Sequence, residues 1–275
     1  MSERLEPWTT SMSTSVRSKD GTLIAFDRIG HGAPVILVDP ALCYRGMGQS
    51  RQLAELLAPH FTVITYDRRG RGESGDTQPY AVKREVEDIA ALVSTAGGSA
   101  HLWGMSSGAM LALEAASRLD GVKRLALYEA PVIVDDSRST TGDQWARIGE
   151  AIAAQRLGAA VRYFLQMVGV PRLLIALMRW SPAWPKLQSI ARTLPYDGAI
   201  VQDYQRGQPL PASRWASVRV PTLVMDGGKS PRWMRRGNRA LALALPNAHY
   251  RTLDGQTHML KPRAHVSTLV EFFKS

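Results

Sequence analysis

Short apolar runs alternate with longer stretches of helical periodicity along most of this chain, and that alternation leaves few folds open. Residues 35–38, 61–65, 101–103, 122–128 and 222–225 are compact apolar runs that read as buried strands. Between them, residues 49–57, 82–96, 107–119 and 232–245 carry apolar side chains at three- and four-residue spacing, which predicts helices. Strand, helix, strand, helix in succession predicts an α/β fold with a mostly parallel, doubly wound sheet and helices on both faces. Ahead of it, residues 13–18 and 23–27 flank Lys19-Asp20-Gly21, a hairpin-type turn, so the sheet is expected to open antiparallel.

The alternation is interrupted once. From residue 135 to 218 no strand pattern is found, and helical stretches at 143–155, 159–167 and 171–178 are punctuated by Ser181-Pro182, Trp184-Pro185 and Leu194-Pro195. The expected division is a core of residues 1–134 and 219–275 with a helical cap, residues 135–218, inserted into it. Trp145, Met167, Trp180 and Trp184 are candidates to wall a substrate cavity under such a cap, although aromatic and Met residues at helical spacing also make ordinary core.

At 275 residues the chain can bury a large core without covalent staples. Its single cysteine, Cys43, excludes an internal disulfide and favours a reducing, cytoplasmic setting. No apolar run reaches membrane-spanning length, and residues 1–15, with Pro7 and Trp8, lack the apolar core of a signal peptide and read as a short extension. A net charge of +10 attracts anions of any kind: nucleic acid, an acidic membrane surface or an anionic substrate. Arg232, Arg235, Arg236 and Arg239 would share one helix face, but without interleaved aromatics they read as a solvated stripe. Neither a nucleic-acid nor a membrane partner is expected.

Gly104-Met105-Ser106-Ser107-Gly108 follows one predicted strand and opens the next helix, the setting in which a G-x-S-x-G turn exposes its serine. A turn that tight demands a positive φ at the serine and leaves no room for side chains two positions away, hence Gly104 and Gly108. Ser107 as nucleophile would be flanked by Met105 and Ala109, which cannot both make that approach. The Ser107 amide, first in its helix, is placed to stabilise an oxyanion. Gly70-Arg71-Gly72-Glu73-Ser74-Gly75 also matches a dinucleotide fingerprint, but no helix starts there, and the next strand lacks the acidic residue a ribose needs.

With these motifs the chain resembles the α/β-hydrolase superfamily over nearly its whole length, the esterase, cofactor-free haloperoxidase and lactonase branches most. Asp67-Arg68-Arg69-Gly70-Arg71-Gly72-Glu73-Ser74 is similar to the D-x-R-G-x-G-x-S loop of that superfamily. Its usual His-Gly-x loop reads Asp39-Pro40-Ala41 here; proline has no N–H, so the resemblance makes Ala41 the second oxyanion donor. The order serine, acid, histidine selects His258, in the loop after the strand at 249–253. The acid departs from the pattern, because Ser230 stands where a carboxylate is usual. Some relatives take it from the end of the preceding strand, which offers Glu129; Asp226 is the rival, and either can instead be a structural carboxylate.

The expected function is hydrolysis of a carboxylic ester or lactone, a small-molecule substrate, through an acyl-enzyme on Ser106, His258 and Glu129, with no metal or cofactor. A thioesterase or a cofactor-free perhydrolase on the same residues is the alternative within enzymes. A catalytically silent hydrolase fold used for binding is the alternative outside them.

Overall fold

A computed structural model describes residues 14–48, 50–138, 141–259 and 261–275. Most of the short extension expected at the amino terminus, together with Ser13 of the predicted first strand and Gln49 of the first predicted helix, lies outside the described residues. The core strands are β1 (Thr14–Arg17), β2 (Leu23–Gly30), β3 (Pro34–Val38), β4 (Thr62–Tyr66), β5 (Ala100–Met105), β6 (Val122–Tyr128), β7 (Thr222–Gly227) and β8 (Ala248–Leu253). They form one sheet in the order β1-β2-β4-β3-β5-β6-β7-β8. β1, β2 and β4 pair antiparallel, and every later pairing is parallel.

Helices cover both faces. α1 (Ser50–Leu57) and α10 (Arg263–Lys274) pack on one side, where Leu53, Leu57, Leu269 and Phe273 meet Val35, Leu37, Val63 and Trp103. On the other side α2 (Val82–Thr95), α3 (Ser107–Ala116) and α9 (Arg232–Ala244) close over Ile36, Ile64, Leu102, Leu125 and Val224. The two-residue period of each strand sends alternate side chains to these two layers. All ten residues of α3 are buried, as expected for a helix that is apolar around its circumference at the centre of the fold.

Between β6 and β7 run α4 (Gly142–Ala153), α5 (Leu157–Met167), α6 (Arg172–Met178), α7 (Ala183–Ala191) and α8 (Leu194–Val201), followed by two short 3-10 turns. Sequence periodicity reaches the first three of these helices and stops at the prolines. Pro182 precedes α7 and Pro195 sits in the first turn of α8, where a missing N–H costs nothing, so these prolines start helices that they were read as breaking.

Candidate active site

Ser106 joins β5 to α3 with φ 54° and ψ −124°, a strained conformation of the kind that persists only where the surroundings impose it. The flanking glycines are required by close approach. A Cβ on Gly104 would lie 2.4 Å from the Gly108 carbonyl oxygen, and one on Gly108 would lie 2.2 Å from that of Val38. A side chain at Gly104 would push α3 away from β5, and one at Gly108 would push α3 away from the end of β3.

Met105 pairs directly with Tyr128 across β5 and β6, so Ser106 and Glu129 are the next residues beyond two neighbouring strand ends. Glu129 also has a positive φ, 52°, and its amide donates to Met225 of β7. Its carboxylate is fully buried and has two partners: Oε1 accepts from the Gly227 N–H at 2.7 Å, and Oε2 lies 3.0 Å from His258 Nδ1. The loop that carries His258 is fixed from two sides. Tyr128 Oη donates to the Thr257 carbonyl at 2.5 Å, while the Gly228 and Lys229 amides donate to Leu253 and Gln256. Asp226 is buried as well, but its carboxylate accepts from the Tyr250 hydroxyl. Burial pushes this carboxyl up from its ordinary value, against the opposing pull of that hydrogen bond.

The loop after β3 departs from the simple expectation. The Ala41 N–H donates to Ser107 Oγ at 2.9 Å, and Ser107 Oγ donates in turn to Asp197 Oδ1 at 2.8 Å. Ser107 thus contributes a hydroxyl as well as an amide, and the Ala41 N–H is engaged within the protein. Asp197, from α8, also accepts from Arg68 Nη1 at 2.7 Å and Arg71 Nη2 at 2.6 Å. Its burial acts to raise the carboxyl pKa, yet the Arg71 and Arg68 guanidiniums outweigh it and hold the group below its ordinary value. Arg71 further donates to the Pro40 carbonyl at 2.8 Å, and Arg68 is forked onto Glu85 through two 2.7 Å bonds. Sequence reasoning missed this cluster. The arginines were legible only as part of a loop motif, and nothing in the pattern singled out Asp197.

The four residues expected to wall a cavity are scattered. Trp145 and Trp184 join the apolar core, Trp145 donating through Nε1 to Gln205 at 2.9 Å and lying tilted at 50° to the Phe164 ring. Met167 lies at the edge of a cleft of about 480 Å³ with Arg147, Tyr163 and Arg172. Trp180, in the turn between α6 and α7, is 90% exposed, so it walls no enclosed cavity.

A mostly parallel sheet entered by an antiparallel hairpin, with a strained serine between a central strand and a buried helix, is the α/β-hydrolase architecture. The chain belongs to the Alpha/beta hydrolase family, whose profile matches residues 29–266. An alpha/beta hydrolase from Sphaerobacter thermophilus superposes with a TM-score of 0.86 at 52% identity, covering 94% of this chain and 100% of that one. A pimeloyl-[acyl-carrier protein] methyl ester esterase of Xanthomonas campestris is 28% identical over 251 residues, 84% of this chain and 90% of the relative. The enol-lactonase from Burkholderia xenovorans shares the fold, with a TM-score of 0.70 at 21% identity over 95% and 100% of the two chains. Family and relatives together support an enzyme with hydrolase activity.

Proposed function

We propose that the chain is a serine hydrolase that cleaves a carboxylic ester or lactone through an acyl-enzyme. The observation that carries this reading is the strained Ser106 at one strand end beside the buried Glu129 at the next, with His258, partly exposed, bonded to that carboxylate. With Nδ1–H donated to Glu129, the other ring nitrogen, Nε2, is the free base. In the proposed sequence Ser106 Oγ attacks the substrate carbonyl carbon and gives its proton to His258 Nε2. The imidazolium protonates the leaving alkoxide as the tetrahedral adduct collapses to the acyl-enzyme. Water, deprotonated by the same nitrogen, then releases the acid.

The Ser107 N–H at the start of α3 supplies one oxyanion donor, and the second comes from the loop at 40–42. For Ala41 to be that donor its N–H must also serve, or leave, Ser107 Oγ. A helical cap formed by residues 135–218 sets the substrate, and the methyl ester hydrolysed by the Xanthomonas relative makes short esters of long acyl groups the first substrates to try. Covalent labelling by a fluorophosphonate probe tests the whole reading. The native protein should label and turn over activated esters, and Ser106→Ala should do neither. Labelling that persists in a folded Ser106→Ala protein would move the nucleophile elsewhere, and no labelling of the native protein would favour a silent, binding role.

A further inference from the structure

Among the described residues, the helical insertion presents an apolar face that stays exposed. Of the seven residues of α6 only Ile175 is buried. Leu173 is 74% exposed, Leu177 61% and Trp180 90%, and at i, i+4 and i+7 they form one continuous stripe, flanked by Leu174 at 48%. Isolated exposed leucines are ordinary, but a contiguous stripe of large apolar side chains marks a surface that meets something.

The charge around the stripe identifies the partner. Between Glu150 and Asp197 the sequence holds no acidic residue, while Arg156, Arg162, Arg172, Arg179, Lys186 and Arg192 all fall there. Arg172 and Arg179 are exposed and adjoin Leu173 and Trp180, the first and last residues of the stripe. We propose that this face of α6 is an interfacial anchor that adsorbs the protein to an anionic lipid surface. Leucines enter the acyl boundary, the Trp180 indole lies at headgroup level, and the arginines meet lipid phosphates.

The shape and charge favour that partner over two others. A short helix held by a single buried residue is a ridge, which sinks into a deformable phase more readily than it fits a second rigid surface. A second copy of this chain on the same face would bring like charges together, which opposes self-association. The expectation of no membrane partner rested on the want of a spanning segment, and no described helix is long and apolar enough to cross a bilayer. Adsorption needs no such segment. The inference is independent of the reading of Ser106, because its test reads binding and not turnover.

The test is co-sedimentation of the native protein with phosphatidylcholine vesicles prepared with and without phosphatidylglycerol. The expected result is partition onto the anionic vesicles, weakened by salt. Combined Leu173→Ser, Leu177→Ser and Trp180→Ser should reduce partition by at least about tenfold, and Arg172→Gln with Arg179→Gln should weaken its dependence on phosphatidylglycerol. All five side chains are exposed, so unfolding is not expected, and thermal melts check that. Quenching of indole fluorescence by brominated lipid should disappear in Trp180→Ser alone. The proposal is overturned by an absence of partition, or by partition that the apolar substitutions leave unchanged. A dimer in light scattering that Leu177→Ser dissociates assigns the face to a second copy. Binding to poly-L-glutamate without partition onto vesicles assigns it to an acidic polypeptide.

Discussion

A carboxylate bonded to an imidazole fixes its tautomer and stabilises the cation formed when the ring takes a proton. Only a group touching His258 can do this, and Glu129 touches it at 3.0 Å. Glu129→Gln is therefore expected to fold normally while kcat falls by about two to four orders of magnitude. Asp226→Asn should cost far less, since that carboxylate faces Tyr250. Steady-state kinetics on one activated ester, with circular dichroism to check folding, compare the two; a larger loss in Asp226→Asn would return the role to β7. The elbow was legible in the sequence because its demands are local: five residues specify a turn, a positive φ and two missing side chains. Choosing Glu129 over Asp226 was not settled there. Both end neighbouring strands, and only the reach across a sequence separation of 129 to His258, with the Gly227 amide holding the second oxygen, separates them.

Between elements, the buried cluster around Asp197 fastens the helical insertion to the loops after β3 and β4. Removing one partner of a buried ion pair leaves the others charged and unpaired, so Asp197→Ala is expected to destabilise the protein by about 3–5 kcal/mol. Urea unfolding measures this, and limited proteolysis should then cut first within residues 135–218. A loss below about 1 kcal/mol would mean that Arg68 and Arg71 find other partners or water. The sheet and its flanking helices were readable because each repeats a short period. α7 and α8 were not, since proline marks the beginning of a helix as readily as its end, and no local pattern says which. The Asp197 contacts were out of reach for a different reason: they join residues 90 to 129 positions apart through single side chains.

At the scale of the whole molecule, stability depends on pH through histidines buried without charge. His265, in α10, is fully buried edge-on to Tyr128, and neither ring nitrogen has a hydrogen-bond partner among the described residues. Burial brings its pKa down from 6.5 to about 4, against a smaller opposing pull from Glu129. The folded value lies below the unfolded one, so between them the unfolded chain binds the extra proton. The stability is complete above about pH 6.5 and is lost as pH falls toward 4, by roughly 3 kcal/mol for this residue alone. His101, also brought down to about 4 by burial, adds a loss of the same sign. Urea unfolding at about pH 7 and about pH 4.5 reads the difference. His265→Phe, which keeps the ring and removes the titration, should flatten it, and an unchanged slope would exclude His265 as the source. The position of the insertion between β6 and β7 also sets an order in time. On a ribosome adding roughly 5–20 residues per second, β6 emerges with one edge bare and waits about 5 to 20 s before β7 exists to cover it. During that interval Glu129 has neither the Gly227 amide nor His258 beside it, and an unpaired strand invites pairing with another nascent chain. The candidate site is therefore among the last parts of the molecule to come into being.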